Sequence, residues 1–152
     1  EVYSSVEWPV IILLASVIPL GAALESNGTT ELIVQVLTKY ALTMEPWLII
    51  AILMIVTMTL SDILNNTATT LVIAPISIQL AQTLNLNADT FLMAVAISAS
   101  CAFLTPIGHK NNTIILGPGG YRFGDYWRMG ILLEVLIIST SIPLLLLFWP
   151  IN

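Results

Sequence analysis

Residues 61–70 read Ser-Asp-Ile-Leu-Asn-Asn-Thr-Ala-Thr-Thr and place seven polar or charged side chains inside a long apolar region. Within hydrocarbon, such a break is tolerated only where the chain is buried in protein or lines a watery cavity, so it marks a functional site by default. We predict that residues 61–70 form the tip of a re-entrant helical hairpin and that this tip binds ions.

The two apolar runs beside this break are both short. Trp47–Leu60 has about 14 residues and covers about 21 Å as a helix, less than a bilayer core of about 30 Å. Ala68–Thr83 is again too short to be an easy full span. Two half-length segments joined by a polar, helix-capping sequence predict a hairpin over residues 46–84 that enters the membrane and returns. The alternatives are one long kinked helix, or two tilted spans joined by an ordinary loop.

The composition places the chain in a membrane. Of its 152 residues, 57% are hydrophobic and 9% are charged, whereas a soluble domain carries about 25% charged residues. The mean hydropathy is +0.96. The single cysteine, Cys101, excludes an internal disulfide, and the few charges give no indication of a nucleic-acid partner. We expect an all-α, multi-pass protein of the cell membrane, namely the bacterial inner membrane.

Four further elements follow from apolar runs and turn signals. Residues 1–28 predict a transmembrane helix and residues 29–45 predict an amphipathic helix lying in the membrane interface. Residues 88–120 predict a broken helix, and residues 128–150 are long enough to span the membrane. The chain begins at Glu1 and shows no signal-peptide pattern, so we expect a piece of a longer polypeptide.

A second polar interruption, residues 105–113, divides the predicted broken helix. Pro106 biases Thr105 away from helical geometry, and Gly108 permits unusual backbone angles. The helix is therefore expected to unwind here. Asn111, Asn112 and Thr113 are candidates to cap the half-helix that follows.

The two interruptions together have the chemistry of a coupled ion site. The end of the incoming half-helix presents unpaired carbonyls, which suit sodium together with the side-chain oxygens of Ser61, Asn65 and Asn66. Carbonyls near Leu104 and Thr105 complete that shell. The start of the outgoing half-helix presents unpaired amide hydrogens, which favour an anion. Paired interruptions of this kind indicate a secondary transporter.

At these residues the chain resembles the divalent anion/sodium symporter family, within the superfamily of ion transporters. Asn65-Asn66-Thr67-Ala68-Thr69 resembles the family's Ser-Asn-Thr signature at a hairpin tip, and Thr105-Pro106 resembles the start of its Thr-Pro-Pro element. Residues 105–130 are similar to a C-terminal stretch of bacterial permeases. The chain departs from the family pattern at two places. Asn65 replaces the family's usual Ser but keeps an oxygen ligand for sodium. Ile107-Gly108 replaces the second Pro and a following Asn, so the identity of the anion stays open.

The resemblance implies an architecture and an activity. Residues 1–152 would be the C-terminal half of a transporter membrane domain, one of two inverted repeats, with the N-terminal repeat upstream and a homodimer as the assembly. The function implied is sodium-coupled symport of a small divalent anion, such as sulfate or a dicarboxylate, by alternating access, with no organic cofactor.

The resemblance also implies two sets of site residues. Sodium would be held by Ser61, Asn65, Asn66, Leu104 and Thr105. The anion would be held by Asn66, Thr67, Thr69, Pro106 and Gly108.

Four further polar side chains have two interpretations each. Asp62 is a counter-charge or proton carrier, or it only caps the tip. Lys110, together with His109 beside it, either attracts an anion or has a structural role in which its charged end reaches water. Glu134 relays protons, or lies near the interface. No metal other than sodium is expected, because the single His has no partner at metal-ligand spacing.

Two other functions remain as alternatives. A sodium/proton antiporter, or another carrier of the superfamily, would use Asp62 as the proton carrier. A non-transporting membrane scaffold would tolerate substitution of Asn66. An enzyme is not expected, since no nucleophile, base and orienting group occur together.

Overall fold

The computed structural model describes residues 12, 15, 19, 23 and 26–151, and the predicted transmembrane helix over residues 1–28 lies almost wholly outside them. Within residues 26–151 the chain forms helices and no strand, which confirms the predicted all-α class for that part. These helices are α1 (Thr29–Ala41), α2 (Pro46–Ile63), α3 (Asn66–Thr83), α4 (Ala88–Ala99), α5 (Lys110–Leu116) and α6 (Phe123–Phe148).

Helices α2 and α3 form an antiparallel pair. Only Leu64 and Asn65 separate them, both with extended backbone angles. Residues equally far from this connection, such as Ile49 and Leu80, line the same apolar groove. Most of residues 61–70 is therefore helical, because Asn65 caps α3 at once: its Oδ1 accepts from the Ala68 N–H at 2.7 Å. A single kinked helix does not describe this segment.

Helix α4 lies at the centre and packs against α2, α3 and α6. Its side chains Phe91, Ala94 and Val95 are buried in the main apolar core. The N-cap of α4 is Asn87, whose Oδ1 accepts from the N–H of Asp89 at 3.0 Å. The residues after α6 return to this end, where the Asn87 N–H donates to the Ile151 carbonyl at 2.9 Å. The opposite end of α4 is thus left to meet the hairpin tip.

The unwound part of the broken helix is residues 100–109, earlier than the predicted residues 105–113. In a continuous helix, the N–H groups of Leu104 and Thr105 would donate to carbonyls four residues back. Both donate instead to the carboxylate of Asp62, at 3.0 and 3.3 Å. A side chain from α2 therefore competes with the helix and ends it before Pro106 can.

In the part of the chain that the structure describes, two helices, α2 and α6, are long and apolar enough to cross a membrane by length and composition. Helix α2 has 18 residues and is longer than the half-length segment predicted from the 14-residue run Trp47–Leu60, because its polar last turn is also helical. Helix α6 has 26 residues and only Gly130 and Leu145 are buried. It begins at Phe123, five residues before the predicted span 128–150, because the Arg122 N–H donates to Asp125 Oδ2 at 2.7 Å and closes a cap. Helix α1 lies against α3 with Val34 buried.

Candidate functional site

The C-terminal ends of α2 and α4 meet at Ser61. Its hydroxyl, fully buried, lies 2.6 Å from the carbonyl oxygen of Ala99, the last residue of α4. The last carbonyls of a helix lack intrahelical partners and carry partial negative charge. Two such ends at one point produce a local excess of acceptors.

A third oxygen joins this point from the start of α3. Ser61 Oγ is 3.1 Å from Asn66 Oδ1, so the hydroxyl has two acceptors and one proton to give. When the hydroxyl proton bonds to the Ala99 carbonyl, Asn66 Oδ1 faces Ser61 Oγ without a proton between them, and the reverse holds when it bonds to Asn66. Hydroxyl, amide and backbone carbonyl oxygens are the ligands that a hard cation prefers. The arrangement suits a small cation at the contact of α2, α3 and α4.

Asp62 ties the hairpin to the unwound segment. Its Oδ1 accepts the two N–H groups of Leu104 and Thr105, and the Thr105 hydroxyl donates back to the Asp62 carbonyl at 2.7 Å. Asp62 is only 3% exposed. Since both residues contribute a side chain and a backbone group, the two interruptions form one connected structure.

Gly108 allows the unwound segment to lie directly on the hairpin. A Cβ at this position would be 2.7 Å from the Ala102 Cβ, and 3.0 Å from both the Asp62 Cα and the Ser61 carbonyl oxygen. The Thr105 hydroxyl holds the turn by accepting from the Gly108 N–H at 3.2 Å. Any larger residue would push the segment away from the tip.

The first turn of α5 closes the other side of the unwound segment. Asn112 Nδ2 donates to the carbonyls of Ala102 and Thr105, at 3.1 and 3.2 Å, and the Thr113 hydroxyl donates to that of Pro106 at 2.6 Å. The prediction that Asn111, Asn112 and Thr113 cap α5 is wrong: the N-cap is His109, without a side-chain bond. All three residues lie inside the first turn, where side chains point back toward the N-terminus.

The residues predicted to bind sodium divide into three groups. Ser61 and Asn66 meet directly, and Leu104 and Thr105 reach the same place through Asp62. The side-chain oxygen of Asn65 is turned away, onto the Ala68 N–H of α3. The ligand roles themselves stay predictions.

The residues predicted to bind the anion differ in burial. Asn66 and Thr67 are half-buried in the first turn of α3, while Pro106 and Gly108 are buried in the unwound segment. Thr69 is fully buried, and its hydroxyl has no hydrogen-bond partner. Of the predicted charge partners, Asp62 lies where the hairpin tip meets the unwound segment, whereas Lys110 is exposed at the start of α5.

Sequence reasoning missed three participants: the Ala99 carbonyl, the Asn112 side chain and the role of Asp62 as an acceptor of backbone N–H groups. The role of Asp62 could have been predicted from its position in the sequence. A carboxylate in the last turn of a helix faces the negative end of the helix dipole, so its presence there indicates donors from elsewhere. Among residues 26–151, no group of three His, Cys, Asp or Glu side chains is arranged to hold a metal ion.

Comparison with known proteins covers almost the whole chain. The model of a family described as "Sodium:sulfate symporter transmembrane region" matches residues 2–151. An uncharacterized transporter of Synechocystis is 40% identical over 97% of this chain, and one of Escherichia coli is 31% identical over 97%. The sodium-dependent dicarboxylate transporter SdcS of Staphylococcus saprophyticus is 26% identical over 93%. The chain spans about a quarter of the length of these relatives, namely 24%, 24% and 27%.

Proposed function

This chain belongs to the sodium:sulfate symporter family, and from that premise we propose that it forms the C-terminal half of a sodium-coupled carrier for a small divalent anion. The substrate class is sulfate or a dicarboxylate, and transport proceeds by alternating access. One observation carries the proposal: the two helix interruptions are joined, through Ser61, Asp62 and Thr105, into a single buried and oxygen-rich junction.

Sodium is assigned to the acceptor side of that junction. Two oxygens, Asn66 Oδ1 and the Ala99 carbonyl, lie within hydrogen-bond distance of Ser61 Oγ. These three oxygen atoms share a single proton, that of the Ser61 hydroxyl. Leu104 and Thr105 form the adjacent wall because Asp62 binds their N–H groups. Asn65 contributes by capping α3, which holds Asn66 in place. Sodium supplies the positive charge that this set of oxygens lacks.

The anion is assigned to the first turn of α3, which contains Asn66 and Thr67. This helix has 18 residues, and its N-terminus favours negative charge. Thr69 of α3, Pro106 and Gly108 are assigned to the same site, and Gly108 lies directly against Ser61 and Asp62 at the end of α2. Asn66 belongs to both sites, so a bound sodium ion lowers the electrostatic cost of a bound anion beside it.

The length of α4 supports a re-entrant position for the hairpin tip. Helices α4 and α3 both run between the turn at residues 84–87 and the junction, with 12 and 18 residues, or about 18 and 27 Å. With that turn at one membrane interface, the junction lies inside a hydrocarbon core of about 30 Å. Helix α1 then lies in the interface, and α6 crosses the bilayer. The remaining parts of this proposal are a multi-pass protein of the bacterial inner membrane, an upstream inverted repeat and a homodimer.

Transport by the full-length parent protein in liposomes tests the proposal. With an inward sodium gradient, we expect sodium-driven uptake of labelled sulfate or labelled succinate, and Asn66→Ala abolishes it. Gln82→Ala is the matched control, because Gln82 is an exposed amide at the far end of α3. Sodium-driven proton movement without uptake of either anion would instead favour an antiporter. Full uptake by Asn66→Ala would refute the assigned site.

A further inference from the structure

Two buried carboxylate oxygens in the described part of the chain have no donor. Asp62 Oδ1 accepts two N–H groups, but Asp62 Oδ2 has no hydrogen-bond partner although the residue is only 3% exposed. The Oε1 atom of Glu134 on α6 is likewise buried without a partner. A buried carboxylate persists only when a donor or a positive charge compensates it. Both side chains therefore lack a ligand of positive character.

The packing of α6 brings these two carboxyl groups to the same region. Gly130 rests on the backbone of the unwound segment, where a Cβ would be 2.6 Å from the Phe103 carbonyl oxygen. The next residue of that segment, Leu104, donates its N–H to Asp62. Glu134 lies one helical turn beyond Gly130 on the same face of α6.

Neither α2 nor α4 carries a basic side chain. In α2 the one charged residue is Asp62, and in α4 it is Asp89, exposed at the opposite end. The unwound segment contributes the buried Cys101 thiol and the exposed His109, and Arg128 of α6 is exposed more than one helical turn before Glu134. None of the described residues on these elements therefore places a buried basic side chain beside the pair.

We propose that Asp62 Oδ2 and Glu134 Oε1 hold a second monovalent cation, sodium, between the hairpin tip and α6. This inference rests on the proposed function, and the site is distinct from the one at Ser61, Asn66 and Ala99. Hard oxygen donors favour a hard cation over thiolate-binding metals, and sodium is the hard cation that the proposed function supplies. A cation here would connect α6 to Asp62, and through Asp62 to the N–H groups of Leu104 and Thr105. Its occupancy therefore stabilises the geometry of the first site.

Direct sodium binding tests this assignment without relying on transport. Equilibrium binding of labelled sodium to the purified full-length parent protein would compare the wild type with Glu134→Gln, Asn66→Ala and Asp89→Asn. Because the parent protein also contains the proposed upstream repeat, each variant is compared with the sodium number of the wild type. We expect Glu134→Gln to bind one sodium ion fewer, or to bind one about tenfold or more weakly. Asn66→Ala also binds one fewer, and the double variant Asn66→Ala, Glu134→Gln binds two fewer. Asp89→Asn, a carboxylate lost far from the junction, binds sodium as the wild type does.

A conservative variant guards against misfolding. Glu134→Asp keeps the charge with a shorter reach, so we expect it to bind as many sodium ions as the wild type, one of them more weakly. Unchanged sodium number and affinity in both Glu134 variants would overturn the inference, even if the wild type is a sodium-driven symporter. If Glu134→Gln binds one sodium ion fewer than the wild type, but the wild type moves neither anion, this site stands and the proposed function is refuted instead.

Discussion

Helices α2 and α6 have similar apolar compositions and opposite surroundings. Half of the residues of α2, 50%, are buried within the protein, against 6% in the most apolar part of α6. Helix α2 packs against α3 and α4 and ends in the polar junction, while α6 contacts α2 and α4 along a narrow line that includes Gly130 and Leu145. Hydropathy therefore identifies both as candidate spans and says nothing about which one carries the site. The difference arises from what each helix packs against.

The largest difference is expected for core truncation. Met54 of α2 is fully buried, so Met54→Ala should lower the free energy of unfolding by about 2–5 kcal/mol through lost contacts and a cavity. Leu132 of α6 is 71% exposed, and Leu132→Ala should change it by no more than about 0.5 kcal/mol. Thermal unfolding of the purified full-length parent protein measures both. If Leu132→Ala lowers the free energy of unfolding as much as Met54→Ala does, the contrast between α2 and α6 does not hold, because another part of the whole protein must then cover α6.

A smaller difference is expected between two glycines of α6. A Cβ on Gly130 would overlap the Phe103 backbone, whereas a Cβ on Gly124 meets nothing within 4 Å. Gly130→Val should therefore lower the free energy of unfolding by about 1–3 kcal/mol through overpacking. Gly124→Val is the control and should leave it unchanged or slightly higher, since Gly disfavours helices. The same thermal unfolding assay distinguishes them. Equal stability of the two variants would contradict the contact between α6 and the unwound segment.

The smallest difference separates two hydroxyls of α2. Ser61 donates outside its helix, toward Ala99 and Asn66, while the Thr59 hydroxyl donates to the Ile55 carbonyl of its own helix. Ser61→Ala should cost about 1 kcal/mol of stability and raise the sodium concentration needed for half-maximal binding. Thr59→Ala should leave sodium binding unchanged. Sodium titration of the two variants checks this, and identical curves would count against Ser61 as a ligand.

Much of the hairpin was predictable because its signals are local. Pro46 at the start of α2 and the polar residues around Asn65 indicate where helices begin and end, and α3 begins beside Asn65. Residues 61–70 were predicted as the tip of the hairpin, and most of them are helical. The reason is that a single side-chain cap on the Ala68 N–H suffices to start α3 immediately.

The second interruption was predictable in kind but not in position. Pro106 and Gly108 correctly indicate an unwound segment, yet it begins at Ser100. Helix α4 ends early because Ala99 and the N–H groups of Leu104 and Thr105 bond to α2. Nothing within a few residues of Ala99 encodes those partners.

The sequence by itself determined the helical class, the polar interruptions and the residue types able to bind a cation, because these depend on apolar run length, caps and side-chain chemistry. Only the tertiary structure decided which donor meets which acceptor. Asp62 bonds to Leu104 across 42 positions, and α6 comes close to the unwound segment at Phe103 because Gly130 has no side chain. Such partners are selected by packing, since a buried polar group bonds to whatever the fold places within reach.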